Sequence, residues 1–253
     1  VSAMITDKVG SHLLEKIITS SNEEIIEEFY FKYIETNLLE YVRSSTANFV
    51  VQQIIEKLTK KDTLKTLLLL LSTHFEEFIK EYRQGVVCKV IQQSCKRNIK
   101  VDKIVEALGK SLNSDPSSST FIISVLYLKP YDKISNYDKV KLQGSLILQS
   151  LCNSKSKIAM KSIIDGVLDL SIDELIKYCR DPVSSRFIES IFTSKRIPDE
   201  SKQKIIIKLL HKFGKMSADK YASHIVDKCW AQSNLEIKEK IAEDIEKSYS
   251  YLI

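Results

Sequence analysis

Met4-Ile5-Thr6-Asp7-Lys8-Val9-Gly10-Ser11-His12-Leu13-Leu14-Glu15-Lys16 returns near the other end of the chain as Met216-Ser217-Ala218-Asp219-Lys220-Tyr221-Ala222-Ser223-His224-Ile225-Val226-Asp227-Lys228. The Met, Asp, Lys, Ser and His stay in register, and so does the closing acid-Lys pair. Internal repetition of this kind means that one supersecondary unit has been stacked several times, which decides the architecture ahead of any propensity argument. It also puts candidate functional residues at equivalent points of every unit.

With Ser11 and Ser223 as reference points, four related segments lie between them: Ala47 to Ile55, Gln84 to Ile91, Gly144 to Leu151 and Ser184 to Ile191. Each has a small or amide residue, a variable one, two apolar or near-equivalent residues, a polar one and a further apolar pair. The reference positions 11, 48, 85, 145, 185 and 223 are separated by 37, 37, 60, 40 and 38 residues. A period near 38 is that of a helical repeat. The long interval carries about 22 extra residues over the others. It contains the low-complexity loop Asn113 to Thr120 and the apolar stretch Phe121 to Leu128, and reads as an insertion or deformed repeat at about 109–132 on the outside of the array.

The preceding segments keep the same register. Leu38 to Arg43 and Leu175 to Arg180 both place a Tyr seven residues before the reference, and Phe78 to Arg83 is a shortened version. Ser44-Ser45-Thr46 and Asp181-Pro182 then supply a loop and the hydrogen-bond acceptors that a new helix needs. Apolar residues recur at helical spacing, as in Phe49, Val50, Ile54 and Leu58, so each reference segment is an amphipathic helix with one buried stripe. The expected fold is an all-α, curved solenoid over 1–253, with recognition helices starting near 11, 48, 85, 145, 185 and 223. The chain begins with Val1, and the array is expected to be part of a longer one.

Composition agrees with helices. Six glycines and four prolines in 253 residues leave little punctuation for the tight turns of an all-β fold. Hydrophobic residues make up 43%, enough for a substantial core. Five cysteines without a Cys-x-x-Cys signal neither a disulfide framework nor a zinc knuckle, which fits the cytosol or nucleus. The longest apolar run, Leu67 to Leu71, is far short of the roughly 20 residues of a membrane span, so no membrane partner is expected. The net charge of +5, from 38 basic and 33 acidic residues, is too mild to point to nucleic acid by itself.

The polar positions are more telling. Ser or Asn at the reference is followed four residues later by an acid or amide in Ser11/Glu15, Asn48/Gln52, Ser145/Gln149, Ser185/Glu189 and Ser223/Asp227. Four residues is close to one helical turn, so both side chains project from one face and can address one object. A capping box pairs its serine with an acid three residues on, so these pairs are a different device. The neighbour between them is often flat or cationic: His12, Phe49, Arg186 and His224. Two edge-reading groups and one stacker per repeat suit a single unstacked base.

Asn48-Phe49-Val50-Val51-Gln52 resembles the uracil-reading motif of the Pumilio family of RNA-binding repeat proteins, and Ser185-Arg186-Phe187-Ile188-Glu189 resembles its guanine-reading motif. The resemblance implies a Pumilio-type solenoid that binds single-stranded RNA without catalysis. It assigns RNA contacts to Ser11, His12, Glu15, Asn48, Phe49, Gln52, Ser145, Gln149, Ser185, Arg186, Glu189, Ser223, His224 and Asp227. With the family's antiparallel polarity and its serine/glutamine pair for adenine, it implies a site 5′-G-A-N-U-G-3′ from Ser185 back to Ser11. Gly85-Val86-Val87-Cys88-Lys89 departs from the pattern by losing all three reading groups, Leu146 is not planar, and Asp227 is shorter than Glu15.

Degeneracy, the long interval and the Ser-His-x-x-acid-Lys form followed by Cys229-Trp230 are more similar to the divergent nucleolar Pumilio-like proteins of small ribosomal subunit biogenesis. That similarity implies precursor ribosomal RNA as partner, with pre-ribosomal proteins beside it, a nuclear and nucleolar location, and a monomer. No cofactor and no metal are expected: His12 and His224 with Glu15 and Asp227 lack a third ligand. Neither a nucleophile elbow nor a P-loop, dinucleotide-binding or His-Glu-x-x-His motif occurs, so no enzyme is expected. The rival readings are a HEAT- or armadillo-like protein scaffold, which has no reason to repeat the polar pairs, and a cytoplasmic Pumilio-type mRNA regulator.

Overall fold

The computed structural model describes residues 1–249. Among the described residues every regular element is helical. They fall into two compact units, Val1–Asn113 and the residues from Ser114 onward. The first holds α1 (Ser2–Thr6), α2 (Lys8–Ser20), α3 (Glu23–Phe29), α4 (Leu38–Arg43), α5 (Ala47–Lys57), α6 (Lys61–Ser72), α7 (Phe75–Lys80), α8 (Gln84–Arg97) and α9 (Val101–Ser111). The second holds α10 (Phe121–Tyr127), α11 (Leu142–Cys152), α12 (Lys157–Asp169), α13 (Ile172–Arg180), α14 (Ser184–Thr193), α15 (Asp199–Leu209), α16 (Phe213–Ser217), α17 (Ala222–Gln232) and α18 (Leu235–Tyr249).

The order within a repeat is a first helix, a second shorter one, and then the helix that carries the reference residue in its first turn. Thus α6, α7 and α8 form one repeat, and α12, α13 and α14 another. The reference helices pack side by side, α2 on α5 and α5 on α8 in the first unit, α11 on α14 and α14 on α17 in the second. This is a helical-repeat solenoid.

A local signal starts four of these helices, α2, α5, α14 and α17. Asp7 Oδ1 accepts from the N–H groups of Val9 and Gly10 at 3.1 and 2.6 Å. Asp181 Oδ1 does the same for Val183 and Ser184 at 2.9 and 2.8 Å, and Asp219 Oδ1 for Tyr221 and Ala222 at 2.9 Å each. In the repeat of α5 the acceptor is Ser44 Oγ, which serves Thr46 and Ala47 at 3.3 and 3.2 Å. The first turn of a helix leaves such donors unpaired, and a short polar side chain just ahead satisfies them. The Asp in the recurring Met-x-x-Asp-Lys segment is therefore a start signal. A true Ser-Glu capping box occurs elsewhere, at Ser171 and Glu174 ahead of α13.

The residue before the reference is small in five of the six repeats, as Gly10, Ala47, Gly144, Ser184 and Ala222, and is Gln84 in the repeat of α8. Ala47, Ser184 and Ala222 are fully buried. A Cβ on Gly144 would lie 2.2 Å from the Val125 carbonyl oxygen and 2.7 Å from that of Leu126, both on α10. The apolar stripes that follow form the core: Val50, Val51, Ile54 and Ile55 on α5, and Phe187, Ile188, Ile191 and Phe192 on α14, are all buried. Each such side chain contributes about 1.5–3 kcal/mol. On α2, Leu13 and Ile17 stay 50% and 45% exposed where their α5 counterparts Val50 and Ile54 are covered.

Hydrogen bonds about one period long tie repeat to repeat. Arg83 donates from Nε and Nη2 to the Arg43 carbonyl at 2.9 and 2.7 Å, Thr63 to Glu27 at 3.1 Å, and Arg180 to the Lys215 carbonyl at 3.0 Å. Ser194 donates to the Cys152 carbonyl at 2.7 Å.

The surplus of the long interval lies on both sides of α10, at 112–120 and at 128–141. In the preceding repeat, the corresponding links are only Thr73-His74 and residues 81–83. The second stretch is closed by Asp138, which accepts from the Lys129 ammonium and from Ser135 N–H and Oγ. The Lys129 bond, with the Ser135 bonds beside it, holds the Asp138 carboxyl down at about 2.

Candidate functional site

The paired polar residues sit in the first two turns of their helices, and they adopt two arrangements. The carboxamides turn back along their own helix. Gln52 Nε2 donates to Asn48 Oδ1 at 3.0 Å, and Gln149 Nε2 to Ser145 Oγ at 3.1 Å. The carboxylates turn sideways to the cationic or ring neighbour: Glu15 meets His12 Nδ1 at 3.2 Å, and Glu189 meets Arg186 Nη1 at 3.3 Å. A carboxylate has no donor to offer a serine hydroxyl that is already donating, whereas an amide does.

The reference residues themselves are largely covered. Ser11, Asn48, Ser145 and Ser185 are buried. Asn48 Nδ2 donates to the Ser44 and Ser45 carbonyls at 2.8 and 3.0 Å. The Ser145 hydroxyl donates to the Val183 carbonyl of the next repeat at 2.7 Å while it accepts from Gln149. Ser11 and Ser223 bond back to the Lys8 and Lys220 carbonyls at 3.3 and 3.4 Å. Asn48 and Ser145 orient their partners four positions on, and the outward polar surface belongs chiefly to Glu15, Gln52, Gln149, Glu189 and Asp227.

The intervening position is open in most repeats. Phe49 is 47% exposed, and His12, Arg186 and His224 are exposed. Leu146 is half-buried and Val86 fully buried, so the repeat of α8 presents no ring there. In that repeat Lys89 takes the place of the acid or amide and pairs with Glu56 on α5.

Two neighbours escape the motif and are supplied by packing. Lys228 on α17 brings its ammonium 4.0 Å from Glu189 Oε1, so that carboxylate lies between two cations. The only sequence trace of Lys228 is the acid-Lys ending that it shares with Lys16. Thr19 Oγ1 donates to Gln53 Oε1 across α2 and α5 at 3.4 Å.

Burial pushes the thiols of Cys88, Cys95, Cys152 and Cys179 up to about 12, and that of Cys229 well above its ordinary value. Protonated thiols are poor nucleophiles and poor ligands. Among the described residues no three His, Cys, Asp or Glu side chains are grouped to hold a metal ion. Nor is any described helix long and apolar enough to cross a membrane.

Three-helix repeats with an i, i+4 polar pair on the third helix of all but the α8 repeat define a Pumilio-type repeat protein. The sequence profile of the NOP9-like PUF repeat domain matches residues 1–252, and the chain belongs to that family. Nucleolar protein 9 of Emericella nidulans is 24% identical over 97% of this chain, which spans 37% of that protein. Pumilio homolog 23 of Arabidopsis thaliana is 26% identical over 94% of the chain, which spans 33% of its length. Among solved structures, APUM23 with the RNA GGAAUUGACGG superposes with a TM-score of 0.87 at 24% identity, over 97% of this chain and 48% of that one. PUF-8 in complex with PBE-RNA gives 0.61 at 16% identity, over 98% and 71%. These likenesses establish the divergent Pumilio-type fold.

Proposed function

We propose that the chain binds single-stranded RNA without catalysis, the repeats other than that of α8 each offering one base the outward edge of an acid or amide, beside an exposed ring or guanidinium in all of them but the repeat of Leu146. The observation that carries this is the recurrence of the pair in one place, the first turns of α2, α5, α11, α14 and α17, with its partners already oriented. In the first unit Asn48/Gln52 would read uracil and Ser11/Glu15 guanine. In the second, Ser185/Glu189 would read guanine and Ser145/Gln149 adenine, and Ser223, His224 and Asp227 would add a further contact.

The chemistry supports each assignment. A carboxylate accepts from both N1–H and N2–H of guanine, whereas a carboxamide offers a donor and an acceptor together. Phe49 supplies a stacking platform worth about 1–3 kcal/mol. Membership of the NOP9-like family, with relatives named for the nucleolus, supports a nucleolar role on precursor ribosomal RNA during small-subunit biogenesis. Relatives whose structures were solved with RNA support the ligand class.

The test is fluorescence polarisation of the 253-residue chain with GGAAUUGACGG and with versions in which each guanine in turn is changed to cytosine, at two salt concentrations. Binding that weakens with salt is expected. One guanine should matter for the wild type and cease to matter in Glu189→Ala. Absence of binding at low salt would sink the proposal and favour a protein scaffold.

A further inference from the structure

We infer that Gly85, which stands where other repeats carry their first reading residue, is a positioning residue for Gln52 of the preceding repeat. Glycine weakens a helix, and Gly85 lies in the first turn of α8 without the left-handed backbone that would require it. What it provides is room. A Cβ there would lie 2.8 Å from Gln52 Nε2, 2.9 Å from Oε1 and 3.0 Å from Cδ. The carboxamide of Gln52 therefore occupies the volume that a side chain at position 85 would fill.

That placement completes a chain of constraint. The Ser44 and Ser45 carbonyls hold the Asn48 amide, Asn48 Oδ1 holds Gln52 Nε2, and the bare first turn of α8 receives the amide from the far side. All three elements belong to the first unit. Any larger residue at 85 drives the Gln52 amide away, because the obstructed atoms are the free end of a flexible side chain and move more easily than the helix. The repeat of α8 thus gives up its own base-edge group and sharpens its neighbour's. Putting a serine back at 85, which by motif alone would add a reading residue, should instead blur uracil recognition.

The functional half of this inference rests on the base-reading proposal, and two measurements separate them. In the first, the 253-residue chain and its Gln52→Ala, Gly85→Ala and Gly85→Ser variants are titrated with GGAAUUGACGG and with GGAACCGACGG, in which both uracils are replaced. The wild-type preference for the uracil RNA should vanish in Gln52→Ala and fall about two- to tenfold in both Gly85 variants, the ordinary worth of one hydrogen bond. In the second, the Gln52 side-chain NH2 resonance is compared between the free wild-type and Gly85→Ala proteins, where it should shift. A wild type indifferent to the uracils overturns base reading by Gln52 and leaves the resonance to decide the placement. An unmoved resonance, or a uracil preference that Gln52→Ala abolishes and both Gly85 variants keep, overturns the role of Gly85.

Discussion

At the scale of single residues, the recurring Asp matters to the fold and the acid or amide further on to the surface. Asp181 illustrates the first. Its Oδ1 accepts from Val183 N–H, Ser184 N–H and Ser184 Oγ, so Asp181→Ala strands the opening donors of α14. A loss of about 1 kcal/mol is expected in urea unfolding, with an unchanged urea dependence, as for other lost helix-start acceptors. Spacing made the paired residues legible, because four positions along a helix is one face. It could not show that Gln52 and Gln149 bond backward while Glu15 and Glu189 bond sideways. That split depends on donors and acceptors meeting in three dimensions, and the part played by Gly85 depends on a side chain from another repeat.

Among the helices, the reference helices and the short α4 and α13 that lead into them were readable, and the shortest were not. The reference helices announce themselves by an apolar stripe, as in α5 and α14. By contrast, α1 and α16 are five residues each, too short to show a period. The helical segment from α3 into α4 passes through a π-turn at Tyr30–Ile34 and a tight 3₁₀ turn at Glu35–Asn37, which no local pattern marks. The surplus of the long interval has no period either, and its division around α10 emerges only once α10 is seen to play the part of α4, α7 and α13. Packing between elements gives a sharp contrast between two glycines. In Gly144→Ala the new methyl group meets backbone carbonyls of α10 that cannot turn aside, and a destabilisation of about 1–3 kcal/mol is expected in chemical denaturation. Gly85→Ala meets a movable amide and should stay within about 0.5 kcal/mol of the wild type in the same measurement.

For the whole molecule, the two units can be followed separately through their thiols. Cys88 and Cys95 lie in the first, Cys152, Cys179 and Cys229 in the second, all with protonated, largely buried sulfur. Alkylation at pH 8 without denaturant should be slow at all five, and at intermediate urea the two groups should label at rates set by the opening of their own unit. Mass spectrometry after timed quenching reads this, and any cysteine that labels like a free thiol in the native protein would contradict its burial. The Asp7, Asp181 and Asp219 turns carry one last consequence. Their bonds reach no farther than the third residue on, so the instruction to begin a helix travels inside the copied segment. A gene segment of about 38 codons, once duplicated, therefore arrives with its own punctuation, and new repeats can drift in what they recognise before they lose the ability to fold.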